Sequence, residues 1–462
     1  MTAPGAQPSG DRTANSQAAN DQVVFVVGIG ADGWDGLARP SQTAIATAQV
    51  IVGGRRQLEL IPLVPGQDRR LWPTPLIIGL PGLLDELRQR SVTVVASGDP
   101  LLSGIGSTLI ELLGAERVRV LPAISSVSLA GARMGWPAET YDVITVVGRN
   151  PAAILRSVSP GRRLIVLSSD ESTPPLVADL LVGAGYGPSS LTVLCNLGSY
   201  QEARLDTVAE RFPATTVPRL NLICVQCVPR MTAALLPTVG GLPDDAFEHD
   251  GQLTKRDARA SALARLAPVP GQLLWDVGAG AGSVAIEWSR TDPRCRAIAI
   301  ERDPVRADRI AINATRLGVP GVTVITGSAP LFLDGLQAPD AVFIGGGAGN
   351  PGVLEACWRA MKLGARMVVH GVTLETEALL IEGHARLGGE LLRLSVERVE
   401  PLGSFRGWTP GRPIVQWSMV KTAHTGPAPS TGPTLNTESP NTESPHTDSS
   451  STERAAADGS SP

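Results

Sequence analysis

The chain has 462 residues, 43% of them hydrophobic and only 4% aromatic, so its cores must be built from aliphatic side chains and its length allows two or three domains. A net charge of −4 argues against a nucleic-acid-binding surface, and no apolar run long enough to span a membrane escapes a charge or a breaker. Five cysteines, an odd number widely spread, and a start lacking the basic and apolar regions of a signal peptide predict a cytoplasmic protein without a disulfide framework.

Residues 1–20 are small and polar and are expected to be disordered. VVFVVGIG (23–30) then reads as a buried strand, followed by a helix over 40–48 and the strand QVIVGG (49–54). Gly28, Gly30 and Gly33 fit the dinucleotide pattern G-x-G-x-x-G. Asp35, Gly36 and Pro40 delay the helix that should follow, however, and the next strand ends in Gly53-Gly54 where a ribose-binding acid is needed, so the match is set aside. VTVVAS (92–97) runs into Gly98, Asp99 and Pro100. After a helix over 105–113, RVRVLPA (117–123) runs into Ile124, Ser125 and Ser126, with a helix over 125–134. Both loops combine free backbone amides with short polar side chains, which suits a small polar ligand and equally suits ordinary turns. Strands over 142–148, 163–168, 191–196 and 220–227 complete this half, predicted as two small α/β lobes around a cleft. Cys224 and Cys227 form C-x-x-C. Their apolar neighbours Leu222, Ile223 and Val225, with no second pair nearby, favour a buried strand over a metal or redox site.

Between 235 and 243 the periodicity stops at Pro237, Gly240, Gly241 and Pro243, which predicts a boundary between a domain at 21–235 and another at 243–422. Beyond a helix in TKRDARASALARLA, strands and helices alternate: strand LLWDVG, helix 283–290, strand 296–301, helix 304–317, strands 322–326 and 340–346, and helix 351–362. Strand 366–372, helix 373–387 and strands near 390–399 and 413–421 follow. The alternation implies a doubly wound, mostly parallel, Rossmann-like sheet, with the last two strands as an antiparallel edge pair. From 424 the chain is rich in Ser, Thr, Pro and Glu and repeats Asn-Thr-Glu-Ser-Pro, a composition expected to stay disordered.

The stretch LLWDVGAGAGSVAIEW (273–288) carries the most chemistry. Gly278, Ala279, Gly280, Ala281 and Gly282 form a loop between strand and helix, and Glu301 ends the next strand, placed to accept both hydroxyls of a ribose. The spacing is G-x-G-x-G rather than the dinucleotide G-x-G-x-x-G, and Asp276 precedes it. An acid there repels a pyrophosphate but suits an ammonium, so the loop favours S-adenosyl-L-methionine over a nicotinamide dinucleotide. An NAD(P)-dependent oxidoreductase is the alternative.

Taken together, these segments resemble a known pairing. VVGIGADGW (26–34), ASGDPLLSGIG (96–106) and LPAISSVSLAGARMGWP (121–137) are similar to tetrapyrrole methylases. TKRDAR (254–259), WDVGAGAGSVAIEW (275–288), GSAP (327–330) and FIGGG (343–347) are similar to decarboxylating precorrin methyltransferases. The fusion resembles the decarboxylating C5,15-methyltransferase family of the corrin (cobalamin) pathway. That resemblance implies methylation of a precorrin at C5 by the N-terminal domain, and C15 methylation with loss of the ring C acetate carboxylate by the C-terminal domain. It implies one S-adenosylmethionine per domain, one held by Thr254, the loop 278–282, Glu301 and Ala329, the other near Ala31, Ser97, Gly98, Asp99, Leu102, Ser125 and Ser126. Ser328 stands where related enzymes often carry an acid beside the adenine, which removes one contact. A homo-oligomer is the family expectation, and a reading in which one half is a non-catalytic scaffold stays open. The substrate itself supplies the nucleophilic carbon, so no protein nucleophile or metal is expected. For its carboxylates Lys255, Arg256 and Arg259 are candidates. His370 is a candidate proton donor, with a satisfied strand-end histidine as the plainer reading.

Overall fold

The computed structural model describes residues 23–423, so the two terminal segments expected to be disordered lie outside the described residues. Valine-rich β1 (Val24–Ile29) lies at the heart of a first, wholly parallel sheet. With β2 (Val50–Gly53), β3 (Asp68–Leu71), β4 (Val92–Ser97) and β5 (Val118–Leu121) it forms the order β3-β2-β4-β1-β5. Parallel strands covered on both faces read as continuous apolar runs, as VFVVGI and VTVVAS do. Polar β3 and the helix Leu76–Glu86, which contains Pro81, lack such a signal and were not predicted.

A second sheet holds β6 (Asp142–Thr145), β7 (Arg163–Leu167), β8 (Ser190–Cys195), β9 (Ala203–Val208) and β10 (Asn221–Gln226), ordered β6-β7-β10-β8-β9. Only β6 and β7 run parallel. Strand β9 is a half-exposed edge whose polar sequence, ARLDTV, hid it from the sequence reading. Cys224 and Cys227 are buried in different core clusters, and burial pushes their thiols up to about 12 and about 11.

The third sheet contains β11 (Leu273–Val277), β12 (Arg296–Glu301), β13 (Thr323–Thr326), β14 (Ala341–Ile344), β15 (Arg366–Gly371), β16 (Glu390–Leu394) and β19 (Ile414–Val420). Its order is β13-β12-β11-β14-β15-β19-β16, parallel through β15. The last two strands do pair antiparallel, but β19 inserts between β15 and β16 and only β16 is an edge. A hairpin absent from the sequence reading, β17 (Glu397–Leu402) with β18 (Phe405–Pro410), projects between them. Strand order reverses between β11 and β14, the position where open α/β sheets bind ligands at their carboxyl ends. The core here is aliphatic with three fully buried tryptophans, Trp275, Trp288 and Trp417. Among the described residues no helix is long and apolar enough to cross a membrane.

Candidate functional site

Two cavities lie at strand carboxyl ends. The larger, about 880 Å³, opens above β11, β12, β14 and β15. Its wall includes Thr254, Gly278, Ala279, Gly280, Glu301 and Ala329, six of the residues singled out in this half. The loop can lie here because its glycines take positive φ, +68° at Gly278 and +59° at Gly280. A Cβ on Gly278 would stand 2.4 Å from the carbonyl oxygen of Gly346, so this loop and the 345–347 loop touch backbone to backbone. Glu301 is buried; one carboxylate oxygen accepts from the Gly280 amide at 2.8 Å and the other from Asp303 at 3.1 Å. Its carboxylate is thus held at the loop with lone pairs to spare for a ligand hydroxyl.

Three expectations need correction. Ala281 and Gly282 lie behind the wall: the buried Ala281 donates its amide to Gln252, and Gly282 packs on Ile310 where the helix Ser283–Thr291 begins. Asp276 does not face the cavity. Side chains alternate along β11, and Asp276 points with Leu274 toward that helix, where it accepts from the Ala285 amide at 2.9 Å. Burial pushes its carboxyl up to about 7. Arg259 is fully buried, donating to Glu287 at 2.6 Å, to Asp244 at 3.3 Å and to the carbonyls of Thr254 and Leu242. It is a strut, and Arg256 is likewise absent from the wall.

Lys255 does line the cavity, joined by Arg302, Arg306, Arg398 and Arg412, which the sequence reading missed. Arg306 pairs with Asp250 at 2.8 Å and Arg398 with Asp257 at 3.1 Å. Among the described residues Arg302 and Arg412 have no ion-pair partner. Apolar Val372, Leu394, Val396 and Ile414 complete the side of the cavity away from the glycine loop. His370 belongs to that side; burial moves its imidazole down to about 4, so the resting ring is neutral near pH 7 and has to gain a proton before it can give one.

The smaller cavity, about 120 Å³, lies between the first two sheets. Ala31, Ser97, Gly98, Asp99, Leu102, Ser125 and Ser126 all line it, from the ends of β1, β4 and β5. Leu167, Leu194 and Leu222 of the second sheet face them. Gly98 has φ +54° and its carbonyl accepts from the Ala123 amide at 3.1 Å, bringing the two loops together. Ser125 caps the helix Ser126–Met134. Ser97 Oγ accepts from Arg56 at 2.8 Å and Gln57 at 2.6 Å. Arg56 lies in the wall, and no sequence pattern marked it. The volume is below that usual for an enclosed small-molecule site, so a ligand would extend into the open cleft.

Two family models match the chain, tetrapyrrole (corrin/porphyrin) methylases over residues 23–212 and a precorrin methyltransferase domain over 245–421. Precorrin-6Y C(5,15)-methyltransferase [decarboxylating] of Sinorhizobium sp is 44% identical over 396 residues, 86% of this chain and 96% of that protein. The protein of the same name from Mycobacterium tuberculosis (strain CDC 1551 / Oshkosh) is 44% identical over 402 residues, 86% of this chain and 100% of its own. Cobalt-precorrin-6B C(15)-methyltransferase (decarboxylating) of Salmonella typhimurium is 30% identical over 166 residues, 35% of this chain and 85% of that protein.

Proposed function

Because the chain belongs to the precorrin-6Y C5,15-methyltransferase (decarboxylating) family, we propose that its two cavities are two S-adenosylmethionine sites, one in each half. The chain is a methyltransferase of cobalamin biosynthesis that methylates its precorrin at C5 and C15 with decarboxylation. In our reading a domain at 21–235 methylates C5, and a domain at 243–422 methylates C15 and removes the ring C acetate carboxylate, giving precorrin-8X. The observation that carries it is the assembly of the singled-out residues, Ala281 and Gly282 excepted, into two separate cavities, each at the carboxyl ends of parallel strands. A relative specific for C15 covers only 35% of this chain, which supports giving that chemistry to one half. Against the nicotinamide alternative stands the loop spacing, G-x-G-x-G in place of G-x-G-x-x-G; Glu301 would suit the ribose of either cofactor, and Asp276 faces away from the cavity.

S-adenosylmethionine supplies an electrophilic methyl group when bound. The protein's own residues do the rest. Glu301 and the 278–280 backbone fix one end of the large cavity, and its apolar and cationic far side seats a flat polycarboxylate. Holding the reacting carbon in line with the methyl, away from water, is the main source of acceleration. Titration of the full chain by calorimetry should give two binding sites; one site would leave one half a scaffold. Asp99→Ala should remove the N-terminal site and the C5 methyl from the product while C15 chemistry persists, read by mass analysis of the tetrapyrrole. Unchanged methylation at both carbons would count against catalysis by that half.

Arg412 and Arg398 flank the base of the β17–β18 hairpin at the cavity mouth, where they would grip ring carboxylates. Arg412→Ala should raise KM for the macrocycle about tenfold and leave kcat unchanged, the pattern of lost uniform binding worth about 1.4 kcal/mol. Arg398 has its ion pair with Asp257 to lose first, so its replacement should matter less. The expected homo-oligomer belongs to this reading as well. Exposed Leu402, Phe405 and Trp408 on the hairpin offer a second copy an apolar face, which sedimentation of the full chain would test.

A further inference from the structure

His370, the next-to-last residue of β15, lies in the wall of the large cavity, between Phe343 of β14 and Gln416 of β19. Its ring meets Phe343 edge-on with centroids 4.9 Å apart. Gln416, its cross-strand partner in the antiparallel ladder, is fully buried and places its carboxamide oxygen 2.8 Å from His370 Nε2. The carboxamide nitrogen lies 3.2 Å from Ser261 Oγ, which also accepts from Arg265 at 3.0 Å. A carbonyl oxygen only accepts, so Nε2 carries the ring hydrogen and Nδ1 keeps a lone pair. Among the described residues nothing hydrogen-bonds Nδ1. The ring is therefore a neutral acceptor held in one orientation beside the cavity.

We propose that His370 is the proton-transfer group of the C-terminal site, its Nδ1 taking the proton lost from C15 on methylation and delivering it to the exocyclic carbon that loses its carboxylate. The proposal rests on the assignment of both steps to this cavity. When C15 attacks, its carbon–carbon double-bond pair forms the new bond to the methyl, whose bond to sulfur breaks with that pair staying on sulfur. The macrocycle is left cationic, and loss of the C15 proton restores its conjugation. In decarboxylation the bond to the carboxylate breaks, carbon dioxide leaves, and the released pair, delocalised through the ring system, ends as a new bond to hydrogen at the exocyclic carbon. One step frees a proton and the other consumes one, so the sum needs no oxidant or reductant. Burial lowers the basicity of His370, but a weak base suffices for a cationic carbon acid, and its conjugate acid is correspondingly able to protonate an enamine-type carbon.

The test uses the full chain with its five histidines labelled with nitrogen-15. The resonances lost in His370→Asn should report the Nε2–H tautomer at neutral pH; an Nδ1–H tautomer overturns the proposal. His370→Ala should bind S-adenosylmethionine at both sites as the unaltered chain does. It should lose C15 methylation and carbon dioxide release by about 100-fold or more, the lower range for general acid–base groups, and regain part of both with added imidazole. A rate within about twofold of the unaltered chain, or no rescue by imidazole, overturns it. If the unaltered chain itself releases no carbon dioxide, the underlying assignment fails and the proposal with it.

Discussion

Gly278→Ala is expected to abolish S-adenosylmethionine binding at the C-terminal site, cutting the calorimetric stoichiometry from two per chain to one. The residue has φ +68°, a region that costs a residue with a Cβ about 1–2 kcal/mol. The added carbon would also lie 2.4 Å from the Gly346 oxygen, 2.9 Å from its carbon and 3.0 Å from its nitrogen. These are backbone atoms of the opposite loop, so no side chain can swing away; the two loops must part. They form the floor of the cavity at the point where strand order reverses, and parting them moves the Gly280 amide off Glu301. Affinity at that site should fall at least about tenfold. The tetrapyrrole product should carry no C15 methyl and keep its ring C carboxylate. Binding at the N-terminal cavity, built from other strands, should be unchanged. Two intact sites in this variant would mean that the glycine loop does not hold the cofactor.

That loop was legible in the sequence because its glycines answer a backbone requirement, and backbone requirements leave single-residue marks. Gly278, Gly280 and Gly282 all adopt positive φ, and Glu301 ends the adjacent parallel strand. The N-terminal loops were legible for the same reason: Gly98 turns the chain between β4 and Asp99, and Ser125 caps a helix. What the spacing could not convey was direction. Asp276 is next to the loop in sequence but on the opposite side of β11, since neighbouring strand residues face opposite ways. The cationic side of the cavity was hidden differently. Arg398 and Arg412 flank a hairpin whose residues are mostly exposed, so it lacks the alternation that reveals a half-buried strand. Its turn, Leu402-Gly403-Ser404-Phe405, does carry the two-residue Gly-Ser signal, with Gly403 at φ +60°, and that signal would have found it.

Arg259 shows the same difficulty for a charge, and it sets the second large effect. Lys255, Arg256 and Arg259 look alike in sequence as a basic helix start, yet only Lys255 lines the cavity. Arg259 turns inward beneath Phe247, its guanidinium 4.8 Å from the ring centroid, and meets Glu287 of the helix Ser283–Thr291. Glu287 also accepts from the amides of Gly241 at 2.5 Å and Leu242 at 3.0 Å, which fastens the segment entering the C-terminal half onto its core. Both side chains are almost wholly buried. Glu287→Ala leaves a guanidinium in the interior without its principal counter-charge, and should destabilise the C-terminal half by about 3–5 kcal/mol. Arg259→Met should cost a similar amount by stranding the carboxylate. The double variant Arg259→Met with Glu287→Leu should recover much of the loss, because a buried pair replaced by apolar groups of similar volume is often close to neutral. Denaturant unfolding of the full chain would measure this through the midpoint of the transition assigned to the C-terminal half by loss of its S-adenosylmethionine binding. A double variant as unstable as the sum of the singles would show that the two charges act independently, and that the entering segment is anchored by Leu242 and Phe247 packing alone.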